Sequence, residues 1–217
     1  FVTECYRRFQ RAQLDVLRPR LRPDVWVTHN FMGWYDGYDA YALAADLDIA
    51  SWDWYVGTGH HEYTTSGATH DLMRGLKRQN FWLMETQPGS VNWSAVNNAL
   101  EKGETRAMAW HAVGHGADAV LYWQWRSALG GQEQWHGTLV DPSGQPRLLY
   151  EEVAQLGEEF SRLAAVLADT EPAARVAIVN SYDSRWAIQW QRHHRDFDYV
   201  EHLLHYYRPL AARNIPV

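Results

Sequence analysis

The stretch FWLMETQPGSVNW, Phe81 to Trp93, decides the fold. Phe81 to Met84 is an apolar run with the character of a buried strand. The run stops on a carboxylate, Glu85, and a Gln-Pro-Gly turn then leads to Trp93. Other apolar runs end in the same manner. VWVTHNF (25–31) closes with His29 and Asn30, and IASWDWY (49–55) with Asp53 and Tyr55. AVLYWQW (119–125) closes with Gln124, and Arg126 follows. Interiors are apolar and C-terminal ends are polar or aromatic, so the chemistry is expected along one rim of a parallel sheet.

Helical patterns separate these strands. They cover Phe1–Leu17, Asp39–Asp46, His70–Arg78, Glu101–His115 and Leu148–Leu167, while GTGHHEYTTSGAT (57–69) reads as a long loop. After the linker-like ADTEPAAR (168–175), Arg175–Asn180 reads as a fifth strand and Tyr199–Ala212 as a helix. The alternation predicts an α/β fold with a parallel sheet and crossover helices. Four such units make half of a TIM (β/α)8 barrel. We expect half of such a barrel over residues 1–168 and, beyond a domain boundary in the linker, a separate segment over 169–217.

Composition narrows the partners. The chain has 217 residues, 46% hydrophobic and 21% charged, an ordinary globular balance. A net charge of -6 and no Lys/Arg block argue against nucleic acid. With one cysteine, Cys5, the chain can form no internal disulfide and no Cys-rich zinc site. No apolar run is long enough to span a membrane. The chain opens on FVTECYRRF, without Met and in a helical pattern, so we expect a piece of something longer. Ten of its 12 Trp lie between Trp26 and Trp135. Aromatic faces stack on the apolar side of sugar rings, and core packing is the competing use for each.

Several segments together carry a family resemblance. VTHNFMGWYDGYD, DIASWDWY, HDLMRGL, FWLMETQPGSVNW, AWHAVGHGADAVLYWQWR, GQEQWHGTLVDPSG and RVAIVNSYDSRWAIQW occur in this order. The chain resembles the β-galactosidases of glycoside hydrolase family 42 over nearly its whole length. The resemblance implies a retaining β-galactosidase in which Glu85 closes barrel strand seven and is the nucleophile. It implies that Trp93, Glu133 and His136 line the galactose subsite. It also implies that the segment after Arg175 starts an α/β module that packs homotrimers. The family's acid/base glutamate follows an asparagine at the end of strand four, and this sequence has no Asn-Glu dipeptide. The resemblance therefore puts the proton donor and strands one to four outside this chain, which alone is expected to be inactive.

The residues themselves support parts of this reading. A retaining glycosidase uses two carboxyl groups about 5–5.5 Å apart, one attacking the anomeric carbon and one passing the proton. The attacking carboxylate must stay ionised, so it needs donors or positive charge nearby. Asn30, Tyr55 and Arg126 are candidates because they end neighbouring strands. Asp53 either hydrogen-bonds within the site or orients a neighbour. Glu133 and His136 are spaced i, i+3, so a helical turn points both one way, toward two sugar hydroxyls or toward solvent. Trp93 either stacks on the sugar or packs its own loop. Trp34, Trp52, Trp54, Trp123 and Trp125 divide between site and core.

His111 and His115 stand at i, i+4, and His60, His61, Glu62 and His70 lie close in sequence. The H-E-x-x-H protease pattern is absent, and neither a metal nor a cofactor is expected. The rival functions are an α-L-arabinopyranosidase, a non-catalytic sugar-binding fragment, and an assembly role for the tail after Arg175. A cytoplasmic, bacterial origin is the expected setting.

Overall fold

The computed structural model describes all 217 residues. Helix α1 (Val2–Leu17) leads through a 3-10 turn to β1 (Asn30–Phe31). Then come α2 (Ala40–Ala44), β2 (Ser51–Trp54), α3 (Tyr63–Lys77), β3 (Phe81–Thr86), α4 (Glu104–Gly114) and β4 (Ala117–Tyr122). Helices α5 (Tyr150–Leu167), α6 (Tyr182–Trp190) and α7 (Tyr199–Ala211) complete the chain. The strands form one parallel sheet in the order β1-β2-β3-β4, and a helix lies between each pair. This is the expected α/β architecture, with β1 and β4 as sheet edges.

The core lies between the sheet and its helices. Phe31, Trp52, Phe81 and Leu83 from the strands meet Leu43 of α2, Met73 of α3 and Ala112 of α4. Strand side chains alternate between two faces. Trp52 turns toward the helices and is buried there, which leaves Asp53 for the opposite face.

Three expectations need correction, and one helix goes beyond them. The strand predicted over Val25–Phe31 pairs only at Asn30 and Phe31. Upstream of it, side chains take over the ladder's role. The Val27 N–H donates to Asp48 Oδ2 at 2.6 Å, and Thr28 Oγ1 donates to the Ile49 carbonyl at 2.7 Å. Helix α3 begins at Tyr63, inside the predicted loop, because Glu62 caps it by accepting from the N–H groups of Thr64 and Thr65. Burial of Thr64, Ser66 and Thr69 then outweighs their weak helix propensity. Arg175–Asn180 forms no strand; no ladder partner meets it, and Ile178 packs beside Ala68, Leu204 and Tyr207 instead. Helix α6, which the pattern did not reveal, starts at the Ser181 cap.

Behind the sheet the histidines form a packed array. His70 is fully buried and accepts the Trp52 indole N–H on Nδ1 at 3.1 Å. Its ring centroid lies 5.4 Å from that of His111 and 5.8 Å from that of His115, and His61 lies 5.1 Å from His111. No group of three or more metal-ligating side chains has the arrangement to hold an ion. His115 Nδ1 contacts Asp71 Oδ1 at 2.9 Å, and the Tyr207 hydroxyl donates to Asp71 Oδ2 at 2.7 Å, so the array also anchors α7.

Burial keeps His70, His111 and His61 toward the neutral form. Desolvation holds His70 well below the ordinary imidazole range, with like-charge pressure from His111 and His115 adding to it. Desolvation takes His111 down to about 3 and lowers His61. A depressed histidine binds its proton more readily in the unfolded chain. Its contribution is therefore complete above the ordinary pKa of about 6.5 and is lost as the pH falls toward the folded value. The urea midpoint of the protein should drop between pH values of about 7 and about 5. His111→Gln should flatten that dependence, and an unchanged slope would count against the array as its source.

Candidate active site

Sequence alternation and one irregularity bring the strand-end groups together. Between β2 and β3 the register runs Trp52 to Leu83 and then Asp53 to Glu85, so Met84 is skipped. The bulge places Asp53 beside Glu85 rather than beside Met84, a common use of bulges near functional groups. Asn30, the first residue of β1, reaches across both. Its Nδ2 donates to Glu85 Oε1 at 2.9 Å and to Asp53 Oδ2 at 3.1 Å. The Tyr55 hydroxyl donates to Glu85 Oε2 at 2.8 Å. Each oxygen of Glu85 is thus held by a neutral donor, which fixes its orientation.

The electrostatics follow from this crowding. Asp53 is pushed up to about 7, chiefly by desolvation and then by the neighbouring Glu85 charge, against the Asn30 hydrogen bond. Its Oδ1 is buried without a hydrogen-bond partner. Tyr55 is pushed well above the ordinary phenol range by burial and by its bond to Glu85. It is therefore a firm donor.

Two loops complete the cup. The Trp93 ring is 58% exposed and meets Tyr55 edge-on, with centroids 6.1 Å apart. Gln87, fully buried, ties its own loop to β2's end: its side-chain carbonyl accepts the Val56 N–H at 2.6 Å, and its amide donates to the Val56 carbonyl at 3.0 Å. On the other side the Glu133 and His136 turn is closed by a backbone bond from His136 N–H to the Glu133 carbonyl at 3.0 Å. Glu133 is exposed, and its Oε2 accepts the Trp123 indole N–H at 2.9 Å. His136 is buried against Tyr55, centroids 5.7 Å apart, and neither ring nitrogen has a partner. Burial lowers its pKa, opposed by Glu133, so the ring is a neutral donor and acceptor. Gly137 lets the two loops touch. Its N–H donates to the Ser90 carbonyl at 2.6 Å, and a Cβ at that position would stand 2.6 Å from the Ser90 nitrogen.

The structure sorts the candidate residues. Asn30, Asp53, Tyr55 and Glu85 form one hydrogen-bonded group, and Trp93 and His136 pack on Tyr55. Arg126 does not join them. It is exposed and donates to the Pro142 carbonyl, in a segment bridged to Val140 after β4 has ended at Tyr122. The donors on Glu85 are therefore neutral rather than cationic. Trp52 is core, Trp54 is half-buried against His61, and Trp123 joins the cup through Glu133. Sequence reasoning left the link from Trp123 to Glu133 unspecified. The signal was present in the strand-end position of YWQW beside the Glu133 turn.

Comparison with known proteins is consistent along the chain. The glycoside hydrolase family 42 β-galactosidase model matches residues 1–163, and the β-galactosidase trimerisation domain model matches residues 174–217. A β-galactosidase of Haloferax lucentense is 40% identical over 235 residues, covering 100% of this chain and 34% of its own length. One from Thermus sp. is 36% identical, covering 100% of this chain and 36% of its own length. The chain thus spans about a third of the length of these relatives. Among solved structures, a β-galactosidase from Halorubrum lacusprofundi superposes with a TM-score of 0.89 at 36% identity, over 97% of this chain and 33% of the other. A family 42 β-galactosidase from G. stearothermophilus gives 0.92 at 32% identity, over 100% and 34%.

Proposed function

Because this chain belongs to glycoside hydrolase family 42, the β-galactosidase family, we propose that it supplies the nucleophile half of a retaining β-galactosidase active site. Residues 1–168 are the C-terminal half of the catalytic barrel, and 169–217 begin the trimerisation domain of a homotrimer. Glu85 attacks the anomeric carbon of a terminal β-D-galactosyl residue. The observation that carries this reading is the pair of neutral donors, Asn30 and Tyr55, holding the two oxygens of a carboxylate at a strand end. A surface glutamate in a salt bridge has no such cradle, and Glu85 makes no salt bridge here.

The sugar's hydroxyls fall to the second loop. Glu133 keeps one oxygen that no protein donor uses, and the neutral His136 has two open nitrogens. The open face of Trp93 covers the ring. No metal or cofactor enters this reading. The rival specificity is an α-L-arabinopyranoside, which shares the ring stereochemistry and differs at C6.

The test is a chimera that places this chain behind the N-terminal region of the Haloferax relative. It should hydrolyse an aryl β-D-galactoside faster than the α-L-arabinopyranoside, with a β-glucoside as the control. The reverse order would reassign the substrate. In the same chimera, Glu133→Gln, His136→Ala and Trp93→Ala should each raise the Kd for galactose. A lost hydrogen bond to a charged group is worth about 1.5–3 kcal/mol, so Glu133→Gln should cost about tenfold to a hundredfold, and loss of the neutral His136 bonds or of the Trp93 face should cost less, up to about tenfold. Three variants that bind galactose normally would remove these residues from the subsite.

A further inference from the structure

Asp53 has a place in the site that the two-carboxylate mechanism does not use. The bulge between β2 and β3 puts it opposite Glu85. A single amide nitrogen, Asn30 Nδ2, serves both carboxyl groups. Asp53 Oδ1 is buried with no hydrogen-bond partner, and leaving a neutral oxygen unpaired costs far less than leaving a charged one. Two carboxyl groups that share one site do not both ionise readily, so a pair of this kind retains one proton. The ionisable groups facing the pair are Tyr55 beyond β2, Tyr38 before α2, and Glu133 with His136 after β4. None of these is a lysine or arginine, and burial keeps His136 toward the neutral form.

We propose that Asp53 and Glu85 alternate in carrying one negative charge through the catalytic cycle, Glu85 in the free enzyme and Asp53 in the galactosyl-enzyme. The inference rests on the functional reading above. In the first step a Glu85 oxygen forms a bond to the anomeric carbon, and the bond from that carbon to the aglycone oxygen breaks, its electron pair leaving with the aglycone. Glu85 becomes a neutral ester. The charge that kept the proton on Asp53 is then gone, so the Asp53 O–H bond breaks and the proton passes to solvent. Hydrolysis of the ester restores the Glu85 carboxylate, and Asp53 takes a proton back. A full negative charge therefore faces the cationic sugar in both half-reactions. Asp53 touches no reacting atom and is a positioning residue. The elevation of its pKa to about 7 in the free protein agrees with a proton held at the start of the cycle.

The experiment uses the chimera and 2,4-dinitrophenyl 2-deoxy-2-fluoro-β-D-galactoside. Its aglycone leaves as an anion and takes up no proton, and the fluorine stalls the covalent intermediate. Proton release is followed with an indicator dye in weak buffer near pH values of about 6, alongside the dinitrophenolate burst. The acid/base glutamate contributes equally in the wild type and in Asp53→Asn, so the difference between them reports Asp53. We expect the wild type to release close to one more proton per dinitrophenolate. The excess should vanish at a pH of about 9, where Asp53 is already ionised before the reaction. Equal release from the two proteins overturns the inference and leaves the functional reading intact. Should Asp53→Asn fail to fold, wild-type release that does not change between those two pH values overturns it. A folded chimera with no dinitrophenolate burst removes the functional reading, and the inference with it.

Discussion

Replacing Glu85 with glycine should abolish galactoside turnover in the chimera, with a fall of about 10⁴-fold or more, and azide or formate should restore part of it. The size of the effect follows from the chemistry. Glycine removes the atom that forms the glycosyl-enzyme, and water in the same space is neither oriented nor charged. A small anion can occupy the vacated volume, and Asn30 and Tyr55 remain to orient it. With azide the product should be the galactosyl azide of inverted configuration, because only one displacement then occurs. In the intact protein a 2-deoxy-2-fluoro galactoside should label the peptide that holds Glu85. Asp53 and Glu133 are the two alternative carboxylates, and each has a physical disadvantage. Desolvation and the neighbouring Glu85 charge push Asp53 up to about 7, and the protonated share of a carboxyl is a poor nucleophile. Glu133 is exposed, sits on a loop, and is held by the Trp123 indole. Label on either of them would falsify the assignment of Glu85.

The core strand was the most legible part of the sequence. Phe81–Thr86 forms β3 around the expected apolar run Phe81–Met84, because such a run between a helix end and a Gln-Pro-Gly turn has little alternative. Edge and tail segments were less legible. Val25–Phe31 has strand composition, yet Asp48 from the next connection holds Val27 by its side chain, which local pattern cannot show. Arg175–Asn180 is apolar enough for a strand but finds no edge to pair with, since pairing depends on distant chain. The site was legible as a set of strand ends. Its internal arrangement was not, because the bulge at Met84 depends on the register of two strands. That one-residue shift decides that Asp53 faces Glu85, and it leaves no sequence signal. Arg126 was expected near the carboxylate because it follows a strand. The strand ends four residues earlier, and the chain has already turned away toward Val140.

Expressed alone, the 217-residue chain should give no measurable hydrolysis of a chromogenic β-galactoside, and co-expression with the N-terminal region of a relative should restore it. The chain brings Glu85 and the donors that hold it, and it brings no second carboxyl group suited to passing a proton to the leaving oxygen. Asp53 is the nearest candidate, but it lies on the strand beside Glu85 with Oδ1 buried. A proton donor must instead stand about 5–5.5 Å across the sugar from the nucleophile. General acid catalysis is worth about 10²–10⁴-fold, and loss of the opposite wall removes binding as well. The fold adds a second reason. β1 and β4 are open edges of a parallel sheet, a form that is normally covered on both sides and closed or flanked. Apolar side chains stand exposed around them, with Trp26 at 56%, Met32 at 67% and Trp125 at 60%. The chain alone should therefore associate with itself or aggregate, and co-expression should yield a species of defined size along with activity. Size-exclusion chromatography and the chromogenic assay on the same fractions decide the matter. A monomeric chain that turns over galactoside unaided would mean that its own carboxyl groups supply both the nucleophile and the proton, and the assignment of the donor to the absent half of the barrel would be wrong.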